Sequence, residues 1–341
     1  ANPDIQWEVP TQTNVGLDFA LFDYRLTGTF DYFNKVSDNI LLEISPADPI
    51  QPTATFWTNI PNMEIRNSGF ELSLDLNSNP TRAFRWNIGG NISLINNEIS
   101  DSPFSVLVTG TASGAGQTGA TINGYINGEP IGAFYMQTFD GIGEDGLNRF
   151  VDTNGDGAIL DDDRTVVGSA LPNTLYAFYL NLNYKNFDFG VNFNGVAGNK
   201  VYNHTAMTSF IKGKLAVSSN TTDFATEFPE EEITNFNEVS TRFLEDGAFL
   251  RLNNLTLGYN LNTQKLGISN AIQRARLSLT GQNLLLITNY SGFDPEVNTG
   301  SVAGQPTDSA SQASVGGMTS TPMLPHCANS PMTSRTRSGE G

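Results

Sequence analysis

The chain has 341 residues, of which 38% are hydrophobic and only 16% are charged, and its net charge is -17. The acidic balance argues against nucleic-acid binding, because a protein that binds a phosphate backbone needs a basic surface. Cys327 is the only cysteine, which excludes a disulfide framework within the chain. The apolar runs are too short for a membrane helix, and Ala1 begins the chain without a signal core, so we expect a mature form or a fragment.

Several segments of the chain alternate apolar residues with polar or small ones. A period of two is the period of a β-strand that has one apolar and one polar face. In chain order these segments are residues 15–21, 24–32, 70–76, 84–94, 176–184 and 187–193. They form three predicted hairpins, with tight turns at Asp23, at Asn79-Pro80 and at Lys185-Asn186.

The third hairpin has the clearest pattern. Its arms run about ten residues each, longer than the usual soluble strand and suited to crossing a bilayer at a tilt of about 45°. We predict that its apolar face meets lipid and its polar face meets the lumen. The lipid-facing set includes Phe178, Leu180, Phe189 and Val191, and the lumen-facing set includes Asn181, Asn183, Asp188 and Asn192.

Two more strand-like segments lie at residues 249–261 and 275–287. The apolar parity slips between Leu252 and Leu255, which indicates a β-bulge. A link of 13 residues, 262–274, joins the two segments.

The connections between the predicted strands alternate between short and long. The long ones are residues 34–67, 96–173 and 197–247. Prolines exclude a central strand over most of the first, so we expect it to be irregular, whereas the second is predicted to hold a short strand near Ile131 to Phe139. Because the alternation puts every long connection at one end, the sequence predicts an all-β fold, an antiparallel transmembrane β-barrel with short periplasmic turns and long extracellular loops. A soluble secreted sandwich, whose strands also have one apolar face, is the alternative.

Aromatic side chains fall into two sets. Those in or near the long connections are placed either to stack on a sugar or to pack within the loops: Phe56, Trp57, Tyr125, Phe134, Tyr135 and Tyr202. Those near predicted strand ends are typical of the aromatic girdles of a barrel: Tyr24, Tyr32, Trp86, Tyr184 and Tyr259.

One loop has the residue spacing of a calcium site. Its predicted ligands are the side chains of Asp152, Asn154, Asp156 and Asp163 and the carbonyl of Ala158. Gly157 allows a sharp turn, and we expect Ile159 to point inward and anchor the loop. Because Asp163 stands where a longer Glu is usual, we expect a dissociation constant of about 10⁻⁴ to 10⁻³ M. The alternative is an acidic turn without a cation.

The sequence does not indicate catalytic groups. The acidic runs at 161–163 and 230–232 are predicted to be solvated, because neighbouring loop carboxylates have no fixed separation. His204 and His326 lack the partners of a triad or a zinc site. We therefore predict that the protein is not an enzyme.

Several blocks in order along residues 1–297 resemble the C-terminal half of SusC/RagA-family TonB-linked outer-membrane transporters. The blocks include Asn2-Pro3-Asp4, Leu26-Thr27-Gly28-Thr29-Phe30-Asp31-Tyr32, Asn67-Ser68-Gly69-Phe70-Glu71, residues 152–172, Phe243-Leu244-Glu245-Asp246-Gly247 and Tyr290-Ser291-Gly292-Phe293-Asp294-Pro295-Glu296. The order and extent of the likeness make chance a poor explanation.

The resemblance implies a barrel of about 22 strands with an N-terminal plug, of which this chain holds about eight strands. It implies location in the cell outer membrane, energy relayed by TonB to a part of the protein outside this chain, and partnership with a SusD-like surface lipoprotein. The implied function is import of oligosaccharides or peptides. The alternative function is that of a soluble secreted calcium-dependent carbohydrate-binding β-domain.

The likeness ends near Val297, which divides the chain into a barrel part, residues 1–297, and a tail, residues 298–341. The tail is rich in Ser, Thr, Gly and Pro and has no strand period, so we expect it to be disordered. The family would have a last strand ending in an aromatic residue here. A frameshift in the coding DNA is one explanation for the difference.

Overall fold

The structure is a computed structural model that describes residues 2–44, 55–114, 117–209, 212–213, 227–268 and 270–296. The predicted tail, residues 298–341, lies outside the described residues, so its expected disorder stays a prediction.

Strands make up most of the described chain. In chain order they are β1 (Val9–Leu21), β2 (Leu26–Asp38), β3 (Leu41–Ile44), β4 (Phe56–Asn59), β5 (Glu64–Asn77), β6 (Phe84–Ser100), β7 (Leu107–Gly114), β8 (Gln117–Tyr125), β9 (Ala133–Met136), β10 (Phe139–Ile142), β11 (Asn148–Phe150), β12 (Thr165–Ser169), β13 (Thr174–Tyr184), β14 (Phe187–Ala197), β15 (Lys200–Tyr202), β16 (Leu244–Asp246), β17 (Phe249–Leu261) and β18 (Ala275–Thr288). A short helix, α1 (His204–Ser209), and 3-10 turns at Asp161–Asp163 and Thr241–Phe243 are also present. Within the described residues, no helix combines the length and apolar character that a membrane span requires.

Eight long strands form one antiparallel sheet in the order β1-β2-β5-β6-β13-β14-β17-β18. Each of them pairs with the next long strand along the chain, so the sheet is a simple meander. Such a meander is an arc of an up-and-down barrel. The predicted all-β antiparallel architecture is confirmed.

The register of the sheet keeps the apolar and polar sets on opposite faces. Leu180 pairs with Val191, and Asn183 pairs with Asp188. Because directly paired residues share a face, each predicted set lies together. We call the face that carries Asn183 the lumen face and the opposite face the lipid face.

The predicted bulge is present in β17. Asn192 pairs with Asn254, whereas the next residue, Phe193, pairs with Leu252, so Asn253 is the extra residue. The insertion shifts the side-chain parity by one, as the sequence indicated.

The short connections all lie at one end of the sheet, as predicted. They are residues 22–25, 78–83, 185–186 and 262–274, and they join consecutive antiparallel strands. Lys185 has a φ of 52°, in the left-handed region that a two-residue hairpin turn requires.

The long strands extend further than the alternation predicted. β2 continues to Asp38 and β5 begins at Glu64, so the prediction of an irregular segment over 34–67 was wrong at both ends. The same connection also contains the β3–β4 hairpin. In the extensions, polar residues such as Lys35 and Asn67 pair with each other. The backbone hydrogen bonds between β2 and β5 continue through these polar residues, so the strands need no apolar face there. The sequence of the extensions therefore lacks the period of two that marks the other parts of the strands.

The proposed girdle residues differ in position. Trp86, Tyr184 and Tyr259 lie within three residues of a short connection, and Tyr24 lies in one. Tyr32 is at the middle of β2, so the expectation that it lies near a strand end was wrong.

Candidate functional site

The second and third long connections fold together into one unit outside the sheet. We call the described residues within 101–173 and 198–248 the external body. Its hydrophobic core takes side chains from both connections: Ala112, Ile122, Phe134, Met136, Ala170, Tyr202, Ala206, Met207, Val239 and Phe243. Because these side chains share one core, the two connections form a single packed structure.

Hydrogen bonds also join the two connections. The backbone N–H of Thr241 donates to the carbonyl of Gln137 at 3.1 Å, and the N–H of Glu232 donates to the carbonyl of Gly146 at 2.9 Å. Asn148 Nδ2 donates to the Phe236 carbonyl at 2.7 Å. These bonds fix the register of one loop against the other.

A buried ion pair lies at this contact. Arg242 donates to both carboxylate oxygens of Glu231 at 2.9 Å, and the two side chains are 6% and 5% exposed. The guanidinium also lies 5.1 Å from the ring centre of Phe228 and 5.3 Å from that of Phe139. The prediction that Glu231 is solvated was wrong, because Arg242, eleven residues along the chain, folds back over it.

The ion pair controls the charge of Glu231. Burial raises the pKa of this carboxyl, but hydrogen bonds from Arg242 and Asn235 outweigh burial and hold the pKa below its usual range. Glu231 is therefore a charged anchor, fully engaged by its neighbours.

We call residues 152–163 the acidic loop. Side-chain oxygens of this loop accept hydrogen bonds from its own backbone N–H groups. Asp152 Oδ1 accepts from Gly155 N at 2.7 Å and its Oδ2 accepts from Gly157 N at 2.9 Å. Asn154 Oδ1 accepts from Asp156 N at 2.9 Å. Gly155 and Gly157 have φ values of +77° and +86°, which favour glycine at both turns.

The twelfth residue of the loop, Asp163, closes it. Its side chain is buried, Oδ1 accepts from Thr153 N at 2.8 Å, and Oδ2 accepts from Leu160 N at 2.9 Å. The hydrogen bond from Leu160, with those from Thr153 and Asn154, lowers the pKa of Asp163 against the opposing effect of burial. The carboxylate is thus held charged inside the loop, contrary to the predicted solvated run.

The acidic loop brings together most of the residues predicted as calcium ligands. Asn154 Nδ2 lies 3.4 Å from Asp156 Oδ2 and 3.0 Å from Asp162 Oδ2. Asp162 was not among the predicted calcium ligands. Its position beside Asn154 adds a further carboxylate to the loop. Ala158 N donates to Asp156 Oδ1 at 2.8 Å. The predicted ligands would offer oxygen atoms to a cation, and oxygen is the ligand atom that Ca²⁺ prefers.

Two features of the acidic loop differ from the predicted calcium site. No three His, Cys, Asp or Glu side chains within the described residues already converge on one point as a metal cluster. Ile159 is 39% exposed, so the expectation that it points inward was wrong. The loop is instead attached through its backbone: Gln137 Nε2 donates to the Leu160 carbonyl at 3.1 Å.

The aromatic residues of the loops divide by burial. Tyr125, Phe134 and Tyr202 are at most 4% exposed and serve as core, which confirms the packing interpretation for these three. Phe56 and Trp57 lie on β4 and are half-buried.

The lumen face carries a polar network across strands. Tyr179 Oη donates to Asp75, which also accepts from Asn87 Nδ2 at 2.8 Å. Near the short connections, Arg276 Nε donates to Asp188 Oδ1 at 3.1 Å. Tyr179 is an aromatic residue that shares its face with Asn181 and Asn183, and that exception to the alternation was the sequence signal for this cluster.

A meander of long strands with an apolar face, a hydrogen-bonded polar face and a large body at one end has the features of an outer-membrane β-barrel. The family model described as "TonB dependent receptor-like, beta-barrel" matches residues 1–284. This chain therefore belongs to the TonB-dependent receptor β-barrel family, a family of outer-membrane receptors and transporters. The match rules out the alternative of a soluble secreted domain.

Individual relatives extend over most of the chain. TonB-dependent receptor P3 of Formosa agariphila is 30% identical over an alignment of 325 positions, which covers 87% of this chain and 31% of that receptor. TonB-dependent receptor SusC of Bacteroides thetaiotaomicron is 29% identical over an alignment of 318 positions, which covers 88% of this chain and 30% of SusC. The structure of the RagAB peptide transporter matches with a TM-score of 0.70 at 25% identity, covering 86% of this chain and 33% of that one. The SusC/RagA resemblance is confirmed, and this chain spans about a third of the length of these relatives.

Proposed function

We propose that the complete protein imports oligosaccharides or peptides across the outer membrane, with energy relayed through TonB. Membership of the TonB-dependent receptor family carries the proposal, and the relatives that support it include SusC and a peptide transporter. A SusD-like surface lipoprotein is the proposed partner, as implied by the likeness to SusC.

The parts of this chain have separate roles in that function. The lumen face, with its Asn, Asp and Tyr side chains, forms part of the wall of the transport path. The external body forms part of the rim on the cell surface, where nutrients and the lipoprotein are first met. Its packed core and ion pair give that rim a defined shape.

The protein acts in this proposal as a transporter without catalysis. The buried carboxylates of the external body are held in their charged form by hydrogen bonds: Glu231 by Arg242, and Asp163 by backbone N–H groups. A carboxyl group with a lowered pKa carries no proton near neutral pH, so neither residue can donate one to a substrate.

We also propose that the acidic loop binds Ca²⁺ through Asp152, Asn154, Asp156, Asp163 and the Ala158 carbonyl. The alternation of oxygen-bearing side chains and the two left-handed glycines support this. Bound calcium would supply charge neutralisation among the carboxylates, and the loop is coupled to the rim through Gln137 and Leu160.

Uptake by cells tests the import proposal. Cells with the complete gene and cells with the gene deleted are compared for uptake of labelled neutral oligosaccharides and labelled short peptides, with and without a protonophore. We expect uptake that requires both the gene and the proton-motive force, and co-purification of a surface lipoprotein with the tagged receptor. Equal uptake by both strains for every probe would refute the proposal.

A further inference from the structure

The side chain of Tyr179 crosses a whole strand on the lumen face of the sheet. Tyr179 on β13 pairs directly with Gly89 on β6, and Gly89 pairs directly with Asp75 on β5. The Tyr179 hydroxyl donates to the Asp75 carboxylate, so the side chain reaches from β13 over β6 to β5. We call this arrangement the Tyr179 crossing.

Gly89 leaves the space through which the ring passes. A Cβ atom at this position would lie 2.6 Å from Cζ of Tyr179 and 2.5 Å from its Oη. Both distances are well below a van der Waals contact, so even an alanine would displace the tyrosine. On the lumen face of β6, every residue of which the structure describes, the neighbours of Gly89 are Asn87 and Asn91. The ring therefore has room to cross β6 at Gly89 and not at the positions beside it.

The register of β13 against β6 has no tight turn to define it. The two strands are joined by residues 101–173, and the entropy of closing so long a loop hardly changes when the register slips by two residues. A slip of one residue would exchange the lipid and lumen faces, whereas a slip of two keeps every side chain on its own face. The alternation of apolar and polar residues therefore excludes odd slips and leaves even slips open.

The Tyr179 crossing distinguishes the native register from these even slips. After a slip of two residues, Tyr179 would face Asn87 or Asn91 in place of Gly89, and its ring would meet an asparagine side chain. Its hydroxyl would also move along the sheet by about 7 Å, away from Asp75. Only the native register gives the ring a glycine to cross and the hydroxyl a carboxylate to bind.

We propose that Tyr179, Gly89 and Asp75 set the register in which β13 joins β6 when the barrel wall assembles. Tyr179 is a positioning residue in this role, and Gly89 and Asp75 define the row of the sheet in which it fits. The role goes beyond the proposed import function, because it concerns how the wall is assembled and not what passes through it.

Disulfide trapping in the complete receptor measures the register directly. The background carries Cys327→Ser, and the reporter cysteines are on the lipid face, opposite the Tyr179 crossing. Leu182 pairs directly with Trp86, so cysteines at these two positions report the native register. A cysteine at Leu182 combined with one at Phe84 or at Ile88 reports a slip of two residues in either direction.

We expect the parent to form the native disulfide in large excess over the slipped ones. Tyr179→Leu removes the ring and the hydroxyl, and Gly89→Ala obstructs the ring. Each should raise the ratio of slipped to native disulfide about tenfold. Tyr179→Phe keeps the ring and loses only the hydroxyl, so its ratio should lie between those of the parent and Tyr179→Leu.

Two matched controls have the same residue types without a role in this register. Gly190 is on the lumen face of β14, and a Cβ there would meet only the end of the Asn181 side chain, at 3.1 Å. Tyr176 crosses Gly195 within a hairpin that a two-residue turn already fixes, and its Oη donates at 3.0 Å to the Phe249 carbonyl, a backbone group that recurs every second residue. Gly190→Ala and Tyr176→Leu should therefore give the ratio of the parent.

Each result either supports the inference or overturns it. An unchanged ratio in Tyr179→Leu, or an equal rise in the two controls, would overturn it. Heat-modifiable mobility on gels reports barrel assembly. If Gly89→Ala does not assemble, the double variant Gly89→Ala with Tyr179→Leu decides: recovery supports the inference, because no ring is left to obstruct, and equal failure of the single and double variants overturns it. These readouts do not involve uptake, so failure of the inference would leave the import proposal untouched.

Discussion

The sheet and the external body are built from the same chain, yet they bury their apolar residues in opposite ways. On the sheet, Phe178 and Ile88 are 43% and 48% exposed and lie on the lipid face. In the external body, Phe134 and Ile122 are fully buried. A membrane strand satisfies its backbone through the ladder and leaves its apolar side chains to the lipid, whereas a structure in water needs a core of its own.

The largest expected difference between the two regions comes from the buried ion pair. Arg242→Ala leaves the Glu231 carboxylate buried and unpaired, so we expect the external body to lose about 3 to 5 kcal/mol of local stability. Hydrogen exchange of residues 137–142 and 241–246 in the complete receptor measures the loss. The sheet should keep its protection.

An exposed ion pair serves as the control for that change. Arg149 pairs with Asp145 at 2.7 Å, with both side chains about half exposed. Arg149→Ala should leave exchange almost unchanged, because solvent screens such a pair. Equal effects of the two substitutions would mean that the Arg242 pair does not hold the two loops together.

The second expected effect concerns the sheet. Phe189→Arg puts a charge on the lipid face, and near the middle of the membrane it should cost about 2 to 4 kcal/mol. Asn192→Arg on the lumen face should cost much less. Unfolding of the refolded receptor in urea measures both. Similar losses for the two variants would contradict the assignment of the lipid and lumen faces.

The sheet was predictable from sequence because the membrane imposes a period of two on it. Segments 249–261 and 275–287, and even the bulge after Leu252, follow from the alternation alone. The alternation stops before the far ends of β2 and β5, and there the predicted strand ends were wrong.

The external body was not predictable in the same way. Its core joins Phe134 to Tyr202 and Phe243, residues far apart in the chain that carry no shared period. Glu231 stands among neighbouring acidic residues and looks solvated until Arg242 is seen to cover it. The acidic loop was recognisable by spacing, but the exposure of Ile159 depends on how the loop attaches to the body.

A smaller expected effect is the response of the external body to calcium. We take a dissociation constant of about 10⁻⁴ M. Calcium at about ten times that concentration should then slow the hydrogen exchange of backbone amides in the acidic loop by about tenfold. Asp156→Ala removes a predicted ligand and should abolish the response, while the sheet should respond in neither protein. Equal protection by calcium in parent and variant would leave the loop as an acidic turn.

The central claim is that the short connections and the external body lie on opposite sides of the outer membrane. Single cysteines at Ala83, in a short connection, and at Phe236, 54% exposed in the external body, test it in a background where Cys327 is serine. Intact cells are treated with a membrane-impermeant maleimide. We predict that Phe236→Cys is labelled at once and that Ala83→Cys is labelled only after the outer membrane is permeabilised. Labelling of Ala83→Cys and protection of Phe236→Cys in intact cells would contradict the account.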